Sequence, residues 1–224
     1  MQEMITAKKG RIFAIGDIHG CYEKLRQLMA RLPYDPKCDT LVFLGDYIDR
    51  GARSRDVLTY LCELRHEGCN VIMLIGNHEY LMLEYHRTGD PALLPFLRHL
   101  GMDATLDSYM VDNPQSLQEM LFLPEEHRQL LDSLLPYWET DHYIFVHAGL
   151  DPQLPLEQHN LSDLCETRST FLSDEHDYGK LVIFGHTPFA MPFVTPTRIG
   201  IDTGAVYGNL LTALELPAMV FYHS

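Results

Sequence analysis

Five short apolar runs, each ending in a polar tip, constrain this chain more than any other feature. They are IGDIHG at 15–20, LGDYIDRG at 44–51, IGNHE at 75–79, VHAG at 146–149 and FGHT at 184–187. Side chains of a strand alternate between faces, but the loop leaving it can turn several consecutive residues toward one point, so Asp17 and His19 can share a ligand. In open α/β sheets such tips gather along the C-terminal edge, where ligands bind, and five tips on one edge make a single site. Glycine precedes the polar residue at Gly16, Gly45, Gly76 and Gly185, which suits backbone that turns sharply or passes close to a ligand. A lone Gly-Asp pair is more often an ordinary loop cap than a ligand. Five in succession place two Asp, one Asn and three His at strand ends, a donor set suited to two adjacent divalent cations and therefore to hydrolytic chemistry.

The runs at 11–16, 40–45, 70–76, 143–147 and 181–185 have the continuous apolar character of strands covered on both faces. Between the first two, Leu25, Leu28, Met29 and Leu32 recur at helical spacing; between the next two Val57, Leu58, Leu61 and Leu64 do, with Gly68 as an end signal. That is a βαβαβ order and hence a parallel sheet. RIGID, NLLTALEL and AMVFYH near the end are short runs separated by Gly and Pro, which predicts a meander packed as a second sheet. From about Tyr80 to Trp138 the pattern is helical, at Leu93–Leu100 and Leu117–Phe122, with no strand run. This stretch is expected either as a cap-like helical insertion over the site, about residues 80–140, or as plain packing helices.

Composition sets the frame. Residues 1–224 read as one domain, since no Pro/Gly/Ser-rich linker or charge block divides them. A net charge of -14 argues against a nucleic-acid partner, which needs clustered Lys and Arg. Cys21, Cys38, Cys62, Cys69 and Cys165 lack the paired spacings of a zinc module or disulfide framework and read as reduced, mostly buried thiols. The N-terminus MQEMITAKKG has no apolar stretch, and no segment approaches the roughly 20 apolar residues of a membrane span, so no membrane partner and a cytoplasmic location are expected. Of the histidines outside the tips (66, 86, 99, 127, 142, 159, 176 and 223), most are expected to be solvated, with His142 a structural group.

The series GDIHG, GDYIDRG, GNHE, HAG and GHTPF, with IDTGAVYGNLLTALEL behind it, resembles the phosphoprotein phosphatase branch of the calcineurin-like metallophosphoesterases, above all the short bacterial and bacteriophage lambda-type members. The resemblance runs from residue 16 to about 216. It implies a four-layer α/β/β/α sandwich, two divalent metals with manganese favoured over iron or zinc, and attack on phosphorus by a hydroxide bridging the metals. It further implies that Asp17 and His19 hold the first metal, that Asp46 bridges both, and that Asn77, His147 and His186 complete the second. His78 would protonate the leaving group with Asp49 orienting its ring. Arg50 and Arg168, with Asn77, would hold the substrate phosphate. In place of the Trp that relatives carry two residues before Arg168 stands Glu166, and Asn209 replaces a second glycine after Gly208.

Two cations repel, so a shared carboxylate oxygen from Asp46 is what lets them coexist. A carboxylate hydrogen-bonded to imidazole favours the imidazolium that a general acid requires. Three functions follow as expectations. The leading one is a metal-dependent protein phosphatase acting on phosphoserine or phosphothreonine, with phosphotyrosine as a further substrate. The others are a dinucleoside polyphosphate hydrolase of the diadenosine tetraphosphate type and an inactive phosphate-binding regulator. The substrate, the native metal and the oligomeric state are not encoded legibly.

Overall fold

The computed structural model describes residues 10–111 and 116–224. The expectations for the extreme N-terminus, and for residues 112–115 of the helical stretch, lie outside the described residues. Two five-stranded sheets lie face to face. The first has the order β10 (Val220–His223), β9 (Thr212–Leu216), β1 (Ile12–Ile15), β2 (Thr40–Phe43), β3 (Asn70–Met73). The second has the order β4 (Tyr137–Glu139), β5 (Tyr143–Val146), β6 (Leu181–Phe184), β8 (Arg198–Gly200), β7 (Phe193–Val194).

Strand parity builds the layers. Ile12 and Ala14 of β1, Val42 of β2 and Ile72 of β3 face Phe145, Ile183 and Ile199 of the second sheet, forming the core between the sheets. Their neighbours Phe13, Ile15, Leu41, Phe43 and Met73 face the other way, against α1 (Tyr22–Arg31) and α2 (Ser54–His66). Ile144, Val146, Val182 and Phe184 point outward onto Leu164 of α8 (Leu161–Glu166) and Phe171 of α9 (Ser169–Ser173). Alternating burial on both faces explains why these runs read as continuous apolar stretches. The result is the expected α/β/β/α sandwich.

Two sequence expectations are corrected. The last two strands do not form the second sheet: β9 pairs antiparallel with β1, and β10 with β9, extending the first sheet. All five side chains of β9 are buried, so it fits a central position rather than a separate meander. The second sheet is instead built on β5 and β6, which pair in parallel, so the five tips come from two sheets and not one. The stretch after residue 80 also holds a strand, β4, at its end. Its helices are α3 (Asn77–Thr88), α4 (Leu93–Leu100), α5 (Met102–Ser108), α6 (Ser116–Glu119) and α7 (Glu125–Asp132). Leu97, Met102, Leu106, Leu117, Leu130 and Leu131 share one core with α1 and α2. Of the cysteines, Cys62 and Cys165 are buried and the other three half-buried. No helix among the described residues is long and apolar enough to cross a membrane.

Arg198 of β8 is buried, and its guanidinium donates to the carbonyls of Phe171 and His176 while lying against the rings of Phe171 and Tyr178. It straps the segment that follows α9 to the outer face of the second sheet. Arg198→Met leaves both carbonyls without this donor and is expected to cost about 1–3 kcal/mol. Urea unfolding checks it: a midpoint equal to wild type would show that the strap contributes nothing.

Candidate metal centre

The tips of both sheets meet at one end of the sandwich. Gly185 N donates to His147 O at 2.7 Å within the second sheet, and Ile18 and His19 N donate to Asp46 O within the first. Across the sheets, His186 N donates to both oxygens of Asp17, at 3.1 and 3.0 Å. The loops hold backbone in a region that side chains avoid: φ is positive at His19 (45°), Asp46 (52°), Asp49 (71°), Arg50 (67°) and His186 (61°). Such conformations cost of order 1–3 kcal/mol each and cluster where function imposes them. The glycines are required by close approach. A Cβ on Gly76 would collide with Asp46 Oδ1, and one on Gly185 with Asp17 Oδ1.

Asp46 is the centre. His19 Nε2 stands 3.3 Å and His78 Nε2 3.9 Å from its Oδ2, while His147 Nε2 stands 3.5 Å from Oδ1. Two overlapping donor clusters result, His19–Asp46–His78 and Asp46–His147–His186. Asn77 belongs to the second, with its Oδ1 3.2 Å from His147 Nε2 and 3.0 Å from His186 Nδ1. Asp17 lies at the same end but turns its carboxylate to the His186 amide. Asp17, His19, Asp46, Asn77, His78, His147 and His186 are all buried.

The donor chemistry fits divalent cations. His19 Nδ1 lies 2.9 Å from Ile48 O and His147 Nδ1 2.8 Å from Leu44 O, so each ring places its N–H on a carbonyl and aims its Nε2 lone pair at Asp46. Burial, opposed by the Asp46 charge, brings the His19 pKa down to about 3, and burial together with His147 brings His186 to about 2. The His147 pKa also falls through burial. Burial thus favours the neutral form of these imidazoles, the form in which imidazole can bind a cation. The His147 lone pair then faces Asn77 Oδ1 and Asp46 Oδ1 with no proton between them, an arrangement that a cation resolves.

The positions beside the cluster differ in character. His78 Nδ1 lies 2.7 Å from Asp49 Oδ2, and His78 Nε2 is buried without a hydrogen-bond partner among the described residues. Burial opposes the His78 imidazolium, yet Asp46 and Asp49 outweigh it and hold the pKa above the ordinary value. Arg50 Nη1 lies 2.7 Å from His19 Nε2, at one end of the cluster. Arg168 is exposed at the other end, where its Nη2 donates to His186 O at 3.1 Å.

Three supporting residues receive no role from the sequence, although Glu79 lies within GNHE and Asp202 within IDTGAVYGN. Glu79 accepts from the backbone amides of Asp46, Tyr47, Ile48 and Gly76, locking the second tip to the third. Its place three residues after Gly76, at the third helical position, is the one available signal. Thr105 Oγ1 donates to Asp49 Oδ1 at 2.7 Å from a helix with no recognisable motif. Asp202 accepts from Gly204 N, and burial with the Asp46 charge lifts its pKa to about 6. His127 is also corrected: it is buried, with Nδ1 2.6 Å from Tyr109 Oη and Nε2 3.2 Å from Thr59 Oγ1. His142 is exposed.

Comparison with known proteins places the site in context. The calcineurin-like phosphoesterase family model matches residues 10–207. The asymmetrical bis(5'-nucleosyl)-tetraphosphatase PrpE of Bacillus velezensis is 27% identical over 228 residues, covering 91% of this chain and 88% of its own. A symmetrical bis(5'-nucleosyl)-tetraphosphatase of Dechloromonas aromatica is 35% identical over 144 residues, but covers 63% of this chain and 44% of its own. A solved structure assigned as a diadenosine tetraphosphatase superposes with a TM-score of 0.70 over 96% of this chain and 93% of its own; at 22% identity this is a likeness of fold. The expectation of a protein phosphatase acting on phosphoproteins is overturned by these relatives, whose names concern nucleotides.

Divalent cation at a hundred times its dissociation constant is expected to stabilise the protein by about 2.7 kcal/mol, read as a rise in Tm. Asp46→Asn removes the charge common to both clusters and is expected to abolish most of that rise. A shift of wild-type size in the variant would place the cation elsewhere.

Proposed function

The chain belongs to the calcineurin-like phosphoesterase family, and we propose from that premise that it is a divalent-metal-dependent hydrolase of dinucleoside polyphosphates. The observation that carries this reading is likeness over nearly the whole length to asymmetrical bis(5'-nucleosyl)-tetraphosphatases. Symmetrical relatives align over a smaller share of their length, which favours off-centre cleavage, giving a nucleoside triphosphate and a monophosphate.

In this reading Asp17 and His19 serve one cation and Asn77, His147 and His186 the other, with Asp46 common to both and manganese the cation used. Two bound cations lower the pKa of a water and offset charge on phosphoryl oxygens. The protein supplies the rest. Arg50 and Arg168, at opposite ends of the cluster, offer paired donors to successive phosphates of the chain. A water oxygen bonds to phosphorus as the bridging P–O bond breaks, and the electron pair leaves on the departing nucleotide's phosphate oxygen. Asp49 keeps a proton on His78 Nδ1, so the imidazolium has Nε2–H free to neutralise that oxygen. The helices of residues 80–140 act as a cap-like part of a single domain: Thr105 fixes Asp49, and Gly101 O accepts from Arg50 N.

Side-by-side assay with manganese is expected to show turnover of diadenosine tetraphosphate to ATP and AMP, with kcat/KM well above that for phosphoserine and phosphothreonine peptides. Faster turnover of a phosphopeptide would reject the proposal, and no turnover of p-nitrophenyl phosphate would point to an inactive regulator.

A phosphate leaving group needs less protonation than an alkoxide. His78→Asn is therefore expected to lower turnover of an alkyl phosphate roughly 10²- to 10⁴-fold, and that of the anhydride or of p-nitrophenyl phosphate by less. Equal losses on all three would remove His78 from the acid role.

A further inference from the structure

We propose that Tyr207 is the stacking platform for a nucleobase of the substrate, at the Arg50 end of the site. This rests on the reading of the substrate as a dinucleotide and adds where the nucleoside goes.

Phe96 and Tyr207 are the exposed aromatic rings among the described residues, and Tyr207 is the one that meets a site side chain. The residue is 64% exposed, which leaves it open to a partner. The Arg50 guanidinium carbon lies 5.6 Å from the ring centroid, while Arg50 Nη1 lies 2.7 Å from His19 Nε2. One side chain therefore spans from the donor cluster to the aromatic face. With His19 bound to a cation, the Arg50 guanidinium would be free to meet a phosphate, and the ring would hold its charge at that end of the site. A polyphosphate running from Arg168 to Arg50 then brings the attached nucleoside past Arg50, where Tyr207 stands.

The backbone that carries the ring is also tied down on both sides of it. It closes a short 3-10 turn, Ala205–Tyr207, between Gly204 (φ 70°) and Gly208 (φ 94°). Gly204 N donates to Asp202 Oδ1 at 2.9 Å, tying the turn to the carboxylate beside Asp17. Lys24 Nζ donates to Ala205 O at 2.6 Å and to Asn209 O, and Asn209 Nδ2 donates to Ala190 O at 3.0 Å. Contacts from two other parts of the chain thus anchor both ends of a turn that leaves most of Tyr207 in the open. An exposed ring gains little stability from being fixed; it gains as a preorganised surface for a flat ligand. Stacking on aromatic rings tolerates different bases, so the platform suits adenine and guanine nucleotides alike.

The test uses the holoenzyme with manganese and compares Tyr207→Ala, Tyr207→Leu and Tyr207→Phe. Inhibition of p-nitrophenyl phosphate turnover by AMP is measured against inhibition by inorganic phosphate. Tyr207→Ala is expected to raise Ki for AMP roughly tenfold or more and leave Ki for phosphate unchanged, with Tyr207→Leu in between and Tyr207→Phe near wild type. KM for diadenosine tetraphosphate should rise alongside, with little change for inorganic tripolyphosphate. An AMP Ki unaffected by Tyr207→Ala, or one that moves in step with phosphate, overturns the platform. A protein that shows the AMP effect but does not cleave diadenosine tetraphosphate keeps the platform and rejects the proposed reaction.

Discussion

The buried carboxylate of Asp46 is the group on which the rest of the site depends. Burial alone would raise its pKa, yet in the acid range where it would titrate, charge on the imidazoles of His147, His78, His19 and His186 holds it below the ordinary carboxylate range. Its backbone sits at φ 52°, and that conformation is held by Glu79, whose carboxylate gathers the amides of three successive residues of the tip. Glu79 is in turn lifted to about 7 by burial and by the Asp46 charge. The Asp46 charge therefore works against the charged form of Glu79, an electrostatic tension built into the site. Cations held by the cluster would offset it, which would link metal affinity to the strain of the loop.

Much of this is legible in the amino-acid sequence. The apolar runs mark β1, β2, β3, β5 and β6, and the polar residues following each run fall where a strand hands over to a loop. Legibility fails where pairing is non-local. Nothing in NLLTALEL says that it joins β1 rather than a neighbour in sequence, because burial on both faces is common to every central strand. It fails likewise for Thr105, a threonine in an ordinary helix whose role comes from lying 2.7 Å from Asp49 across 56 residues. Glu79 is visible within GNHE, but its partners are backbone amides, which leave no mark on a sequence.

That the motifs point to the wrong substrate has a physical cause. GHTPF and IDTGAVYGN favour a protein phosphatase by resemblance, yet in the structure they place His186 against Asp17 and hold Asp202 beside the cluster. They build the donor set. On such a site a phosphoester and a phosphoanhydride would draw on the same cations and the same activated water, so residues that serve phosphorus cannot report what is attached to it. That information lies in what the leaving group and the far end of the substrate would touch, such as exposed Tyr207, whose place within IDTGAVYGN does not by itself announce that role.

Charge makes the same distinction from another side. A chain with net charge -14 repels a polyanion at long range, so a tetraphosphate is not drawn in by the protein as a whole. In the proposed reading attraction would have to be local, from cations held by the cluster and from the guanidiniums of Arg50 and Arg168 at its ends. Beyond about a Debye length, roughly 8 Å at physiological salt, the surface carboxylates are largely screened, whereas the site's own charges act at contact. The same acidic balance disfavours a long nucleic acid, whose every phosphate would meet that repulsion.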